Sequence, residues 1–369
     1  MNGILGSLPP PPVGKFGWPW TEETNPSVFD KIELYPKVSI VMPSYNQGLF
    51  IEESIRSLLL QNYPNLEFIV MDGGSSDDSV SIIKKYEPWI TFWRSGKDGG
   101  QSHAINMGLE RSTGEWFNWL NSDDYYLPEA FFNLSKAIID DIQKPVAVCG
   151  KPLVQPMKGG IRSLPENNRD KFYEDFIALG YYQVAALYDI NKVKMFGGVD
   201  ENLHFGMDLK LVMQMNFAGI AKRVNKHVIV MRSHAASKGV KHASQFYKDW
   251  LVAYSSSLSY FPEEIIDKTL FNKIREITGV DFSYVPSYFK PDRFTREEYR
   301  HAQIYIGERI INLMYIYNQR GVSKMVKFYK ENYSEYYKKT NLWFVHFKSL
   351  WLVRIAIRIK KLIINSRTD

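Results

Sequence analysis

The chain has 369 residues, is 45% hydrophobic and 23% charged, and carries a formal net charge of +6. That is the make-up of a soluble globular protein, and the length exceeds one ordinary core, so two domains are expected. The single cysteine, Cys149, excludes an intrachain disulfide and a Cys-rich zinc site, and fits a reducing compartment. Residues 1–12 lack the basic start and long apolar centre of a signal peptide. No run of about 18 apolar residues marks a membrane-spanning helix.

Taken in chain order, residues 1–36 form an arm with Pro9-Pro10-Pro11-Pro12, read as polyproline II, and Gly17-Trp18-Pro19-Trp20, whose two tryptophans are expected to pin it to the body. Regular structure begins at Lys37. Strands are expected over 38–42, 66–71, 90–93 and 115–120, alternating with helices over 51–60, 78–86 and 102–110. Strands and helices alternating at this length imply right-handed βαβ units and a parallel sheet. A second half follows, with strands at 146–150, within 180–187 and at 228–231, a turn at 197–201 and a helix over 207–217. Beyond about residue 240 only helices are expected, at 245–260, 262–277, 295–319, 323–339 and 342–364.

The positive charge belongs to the C-terminal end. From Arg320 onward there are 12 basic and 3 acidic residues. An anionic partner follows, and a lipid surface is the one favoured. The last helix mixes Trp351, Leu352, Ile355, Ile359 and Leu362 with Arg354, Arg358 and Lys361, and the basic trio shares one face. That is the pattern of an interfacial membrane helix, and also of an amphipathic helix docked on its own domain. No nucleic-acid motif accompanies the charge.

Four polar segments fall at expected carboxyl ends of strands: Pro43-Ser44-Tyr45-Asn46, Asp72-Gly73-Gly74-Ser75, Asp98-Gly99-Gly100-Gln101 and Asn121-Ser122-Asp123-Asp124. Ligands of open α/β sheets bind beyond those ends. Two adjacent carboxylates repel unless a cation, donor or proton lies between them, so Asp123-Asp124 reads either as a metal corner or as a solvated turn. With an aromatic, hydroxyls and close-approach glycines around it, the crevice suits a nucleotide diphosphate. There is no Walker lysine pattern, and no Gly-x-Gly-x-x-Gly follows the first strand.

Residues 37–128 resemble the nucleotide-sugar-binding half of a family 2 glycosyltransferase. The strings that carry this are Val38-Ser39-Ile40-Val41-Met42-Pro43-Ser44-Tyr45-Asn46-Gln47, Ile69-Val70-Met71-Asp72-Gly73-Gly74-Ser75-Ser76-Asp77, Ala104-Ile105-Asn106-Met107-Gly108, and Leu120-Asn121-Ser122-Asp123-Asp124. The resemblance continues more weakly through Gly197-Gly198-Val199-Asp200-Glu201 to about His234. It implies an α/β GT-A fold over 37–240, with a mostly parallel central sheet flanked by helices, followed by an all-α region over 241–369.

It also implies roles. Pro43, Ser44 and Tyr45 would wall the nucleobase, Asp72 would hydrogen-bond it, and Gln101 would lie near base or diphosphate. Asp123 would face ribose or sugar, and Asp124 with His234 would hold Mn²⁺ or Mg²⁺. Asn121 stands where the family's Asp-x-Asp pattern has its first acid, which leaves Asp124 the main ligand. Asp208 would be the general base, with Asp200 the runner-up and better read as a turn residue. Gln183 and Lys238 would meet acceptor or diphosphate. His103 reads as a helix-surface residue.

The activity so implied is inverting, metal-dependent sugar transfer from a nucleotide diphosphate sugar, UDP first, to a glycan hydroxyl on a lipid carrier, in the cytoplasm at the inner face of the membrane. The competing expectations are a non-catalytic sugar-nucleotide or glycan-binding module and a nucleotidyltransferase. The latter needs a Gly-rich loop with Arg where Pro43-Ser44-Tyr45-Asn46-Gln47 stands.

Overall fold

The structure is a computed structural model. It describes residues 3–30, 34–164, 182–235, 237, 243–261, 263–279, 295–316, 319, 321–339 and 342. The chain divides into two compact units, 1–242 and 243–369.

The first unit is built on one sheet. β1 (Val38–Ser44) is buried along its whole length, and β2 (Leu66–Asp72) nearly so. Near-continuous apolar strands of this kind belong inside a parallel sheet covered on both faces. β1 pairs in parallel with β2 on one side and with β4 (Trp116–Trp119) on the other. β3 (Phe92–Ser95) continues the parallel order beyond β2. The crossovers are α1 (Ile51–Leu59), α2 (Ser79–Lys85) and α3 (Gln101–Arg111). α3 lies hard against β1 at Gly108, where a Cβ would come within 2.5 Å of Val41 Cγ1. Only glycine fits there, which explains the Met107-Gly108 motif physically.

The second half of the sheet is mixed. It contains β5 (Tyr125–Tyr126), β6 (Ala147–Gln155), β7 (Arg162–Ser163), β8 (Ala186–Asp189) and β9 (Ala221–Arg232). The order is β3-β2-β1-β4-β8-β6-β9-β5, with β7 on β6. β8 runs antiparallel to both β4 and β6, so β6 points the same way as β4, and β9 is parallel to β6. β4 and β9 therefore deliver their carboxyl ends to the same rim. α4 (Ala130–Ile139), α5 (Ile190–Met195) and α6 (Met207–Ala218) complete this unit.

The arm packs on the back of α1. Arg56 of α1 is 1% exposed. Its guanidinium donates to the main-chain carbonyls of Pro9, Pro19 and Trp20 at 2.8, 2.9 and 2.7 Å, and to the Tyr86 hydroxyl at 3.0 Å. Trp18 Nε1 donates to the Tyr126 carbonyl at 2.8 Å, so the tryptophan does anchor the arm. Phe29 is buried edge-to-face against Tyr35, Tyr63 and Phe132.

The second unit is helical among its described residues: α7 (Ala243–Ser257), α8 (Lys268–Thr278), α9 (Arg296–Ile316), α10 (Val322–Asn332) and α11 (Ser334–Lys339). The single helix expected over 323–339 is two. It breaks at Tyr333, whose buried side chain turns inward to donate to Asp267 Oδ2 at 2.6 Å. Asp267 in turn caps α8 through the amides of Thr269 and Leu270. The helix expected over 342–364 lies outside the described residues, Leu342 apart. Among the described residues no helix is long and apolar enough to cross a membrane.

Candidate active site

β4 gives way at Leu120 to the acidic turn, and β9 ends beside it. Asp124 is 5% exposed. Its Oδ1 accepts from the main-chain N–H of Arg232 at 2.9 Å, and its Oδ2 accepts from Asn121 Nδ2 at 3.1 Å. Burial, and then the adjacent charge of Asp123, push the Asp124 carboxyl well above the usual carboxylate range, while the two donors pull it partly back. Asp123 points the other way and lies 3.0 Å from His234 Nε2. His234 stacks on Phe50 at 4.5 Å between ring centroids, and its backbone exchanges hydrogen bonds with Ser237.

Asn121 has a use that an acid would lack. Its amide accepts from Gln101 Nε2 at 2.9 Å while donating to Asp124, so Gln101, Asn121 and Asp124 form one chain. Gln101 opens α3, and the next residue, Ser102, donates to the Leu203 carbonyl at 3.0 Å. That contact ties the front of α3 to the segment leading into α6. Asp208 lies in the first turn of α6, half-buried, with Oδ1 accepting the Leu209 amide at 2.8 Å.

A second wall is made by the ends of β1 and β2. Asp72 is 1% exposed, and its carboxylate accepts from the Gly74 and Ser75 amides and from the Ser75 and Ser95 hydroxyls. Four donors saturate a carboxylate. Ser75 Oγ also accepts the Asn46 amide at 2.8 Å, which joins the two loops. Pro43 lies in the sheet register opposite Met71. Ser44 Oγ is buried with no hydrogen-bond partner among the described residues. A buried orphan hydroxyl at a strand's carboxyl end calls for an unseen partner. Tyr45, next to it, is 63% exposed.

The structure thus gathers Gln101, Asn121, Asp123, Asp124 and His234 at one corner, with Pro43, Ser44, Tyr45 and Asp72 on the β1–β2 wall. Gln183 is set behind the corner. It is 5% exposed, and its amide donates to Asn118 Oδ1 at 2.7 Å and the Trp119 carbonyl at 3.0 Å. Asp200 pairs with Lys210 at 2.6 Å and accepts from Asn202. His103 is on the surface, 3.0 Å from Glu201. Lys238 lies outside the described residues.

Sequence reasoning missed Arg232 and its partners Glu53, Ser54 and Phe50. The one local signal is a cation at a strand end two residues before His234.

Among the described residues no three His, Cys, Asp or Glu side chains are grouped so as to hold a metal ion by themselves. The donors present, two carboxylates and an imidazole, are nevertheless those that Mn²⁺ and Mg²⁺ accept. Magnesium is commonly held by one or two carboxylates with substrate phosphates completing its shell. A buried carboxyl raised by a neighbouring acid is also the environment a cation relieves.

An α/β sheet with glycine and acid loops at its rim, an acid-ended fourth strand and a mixed second half defines a GT-A protein. Residues 39–193 match the glycosyl transferase family 2 model. An uncharacterized glycosyltransferase of Rickettsia typhi is 35% identical over 122 residues, 32% of this chain and 37% of that protein. One from Haemophilus influenzae is 36% identical over 93 residues, 24% of this chain and 37% of that protein. The matched stretch therefore spans little more than a third of either relative. Among solved structures, S. aureus TarS 1–349 in complex with UDP-GlcNAc aligns with a TM-score of 0.53 at 17% identity, over 85% of this chain and 91% of that one. The likeness is one of fold.

Proposed function

We propose that the protein transfers a sugar, with inversion, from a nucleotide diphosphate sugar to a hydroxyl of a glycan acceptor carried on a lipid. The observation that carries this reading is the acidic turn with His234 on Asp123 and Asp124 buried next to it, together with the orphan Ser44 hydroxyl at the carboxyl end of β1. The exposed Tyr45 ring offers a flat face to a nucleobase. UDP is the favoured nucleotide, supported by a protein of the same fold that binds UDP-GlcNAc.

Asp124 with His234 would hold a divalent cation, which when bound would neutralise charge on the departing diphosphate, while Asp123 would face the ribose or sugar. The rest is done by the chain's own residues. Asp208 accepts the acceptor hydroxyl's proton as the oxygen bonds to the anomeric carbon from the face opposite the diphosphate. The bond from that carbon to the diphosphate oxygen breaks, and its electron pair leaves with the nucleoside diphosphate. Gln101 and Asn121 keep Asp124 aimed at the donor side.

A panel of nucleotide sugars assayed with and without EDTA tests the reading. Transfer from one donor is expected to disappear in EDTA and return with excess Mn²⁺ or Mg²⁺. Undiminished turnover in EDTA would remove the metal from the mechanism.

The basic C-terminal residues are proposed to rest on an anionic membrane surface. The full chain is expected to pellet with vesicles containing phosphatidylglycerol, and a chain ending at residue 340 to stay in the supernatant. Equal pelleting of both would refute this placement.

A further inference from the structure

We propose that Arg232 is the positioning residue of the acidic corner, holding the Asp123–Asp124 turn against α1 without pairing with either carboxylate through its guanidinium. The consequence for donor binding rests on the function proposed above, while the clamp itself is a matter of geometry.

Arg232 is the last residue of β9. Its main-chain N–H supports Asp124 Oδ1. Its side chain, 9% exposed, sends each arm of the guanidinium to a different element. Nε donates to the Asp123 carbonyl. Nη1 meets Glu53 Oε2 of α1 at 2.7 Å, and Nη2 meets Ser54 Oγ at 3.3 Å. Ser54 Oγ lies 3.0 Å from the Ser122 carbonyl and 2.5 Å from the Asp124 carbonyl, so α1 grips the turn from the other side. The guanidinium is also flanked by two rings, Phe50 at 4.9 Å and Tyr125 at 5.0 Å. Phe50 is the ring on which His234 stacks. One side chain therefore sets the turn, the strand after it and the imidazole's support.

The charge arrangement matters as much as the geometry. A free guanidinium beside two carboxylates would pair with them and compete with any divalent cation. Glu53 and the Asp123 carbonyl occupy Arg232 instead. The acids are oriented by a cation whose guanidinium hydrogen-bonds neither carboxylate and reaches Asp124 only by its charge through space. Only a planar fork makes these separate contacts at once, so lysine is a poor substitute.

The test uses the full chain as Arg232→Gln, Arg232→Lys and Glu53→Gln, with wild type beside them. Three quantities are read: thermal midpoint without ligand, calorimetric affinity for UDP with Mn²⁺, and amide hydrogen exchange of the 121–126 segment. Loss of a residue that orients metal-site ligands costs about 10–100-fold in affinity. Arg232→Gln is expected to weaken Mn²⁺–UDP binding by that factor and to speed exchange at 121–126. Arg232→Lys should fall between it and wild type. Glu53→Gln should weaken binding while keeping the turn protected, because the guanidinium is freed to swing onto the acids.

Unchanged exchange and unchanged affinity in both Arg232 variants would overturn the proposal. So would a lowered midpoint with affinity and exchange as in wild type, which is the signature of a merely structural contact. If wild type itself binds no nucleotide, the donor-site reading fails, and the exchange rates alone still decide whether Arg232 holds the turn.

Discussion

Asp208→Asn is expected to lower kcat about 10²–10⁴-fold, the usual contribution of a general base, with little change in KM for the donor. The substitution keeps the side chain's shape and an acceptor for the Leu209 amide. It removes the ability to take a proton. Asp208 suits the task because it stands half-buried in the first turn of α6, next to the segment that Ser102 ties to the front of α3. Asp200 suits it less. Burial works to raise its pKa, but the hydrogen bond and charge of Lys210, with Asn202, hold it below the usual range. A carboxylate committed to an ion pair is a weak base. Single-turnover rates at saturating donor decide the matter, since an Asp208→Asn enzyme with wild-type kcat would end the assignment.

The largest effect on stability is expected at Arg56. Three main-chain carbonyls of the arm, those of Pro19 and Trp20 buried and that of Pro9 partly so, depend on its guanidinium. No carboxylate touches it among the described residues, and its charge is met through the Tyr86 hydroxyl, which donates to Glu52 at 2.9 Å. Each buried acceptor left without a donor costs about 1–3 kcal/mol. Arg56→Met should therefore cost roughly 3–5 kcal/mol, a fall of roughly 6–20 °C in Tm for a unit of this size. Arg56→Lys should recover little, because an ammonium lacks the planar fork that reaches three carbonyls. Calorimetric melting with limited proteolysis of residues 3–30 checks this. Wild-type melting together with an intact arm in both variants would refute it.

How legible was this in the sequence? The rim was, because each of its four loops follows a short apolar strand and carries its own chemistry. The clamp was not. Arg232 and Glu53 are 179 positions apart, and no local pattern announces a contact at that separation. β9 shows a different failure. The strand was expected only at 228–231, yet it begins at Ala221. Its first seven residues, Ala221 to His227, are mostly exposed and carry Lys222, Arg223, Lys226 and His227. β5 pairs with β9 only at Ile229 and Val230, so the 221–227 stretch lies at the sheet's edge, and edges are commonly charged in this way, which hides them from a search for apolar runs. α4 lies outside the expected elements although its signal is present: Pro128 just before it and buried Phe131 and Leu134 at helical spacing. The Asn121 amide chain required knowing that Gln101 and Asp124 face each other, which depends on the β1–β4 pairing.

The arm changes what counts as the folded domain. Every residue named at the corner lies after Lys37, and the family match begins at residue 39. A protein trimmed to that boundary would keep its full chemical inventory. It would also open the aromatic cluster around Tyr63 and Phe132 to water and leave a guanidinium on α1 facing solvent where peptide had been. The Tyr126 carbonyl, two residues beyond Asp124, would lose its indole partner. The outline by which relatives are recognised and the outline that folds are different objects here, and residues 3–30 belong to the second.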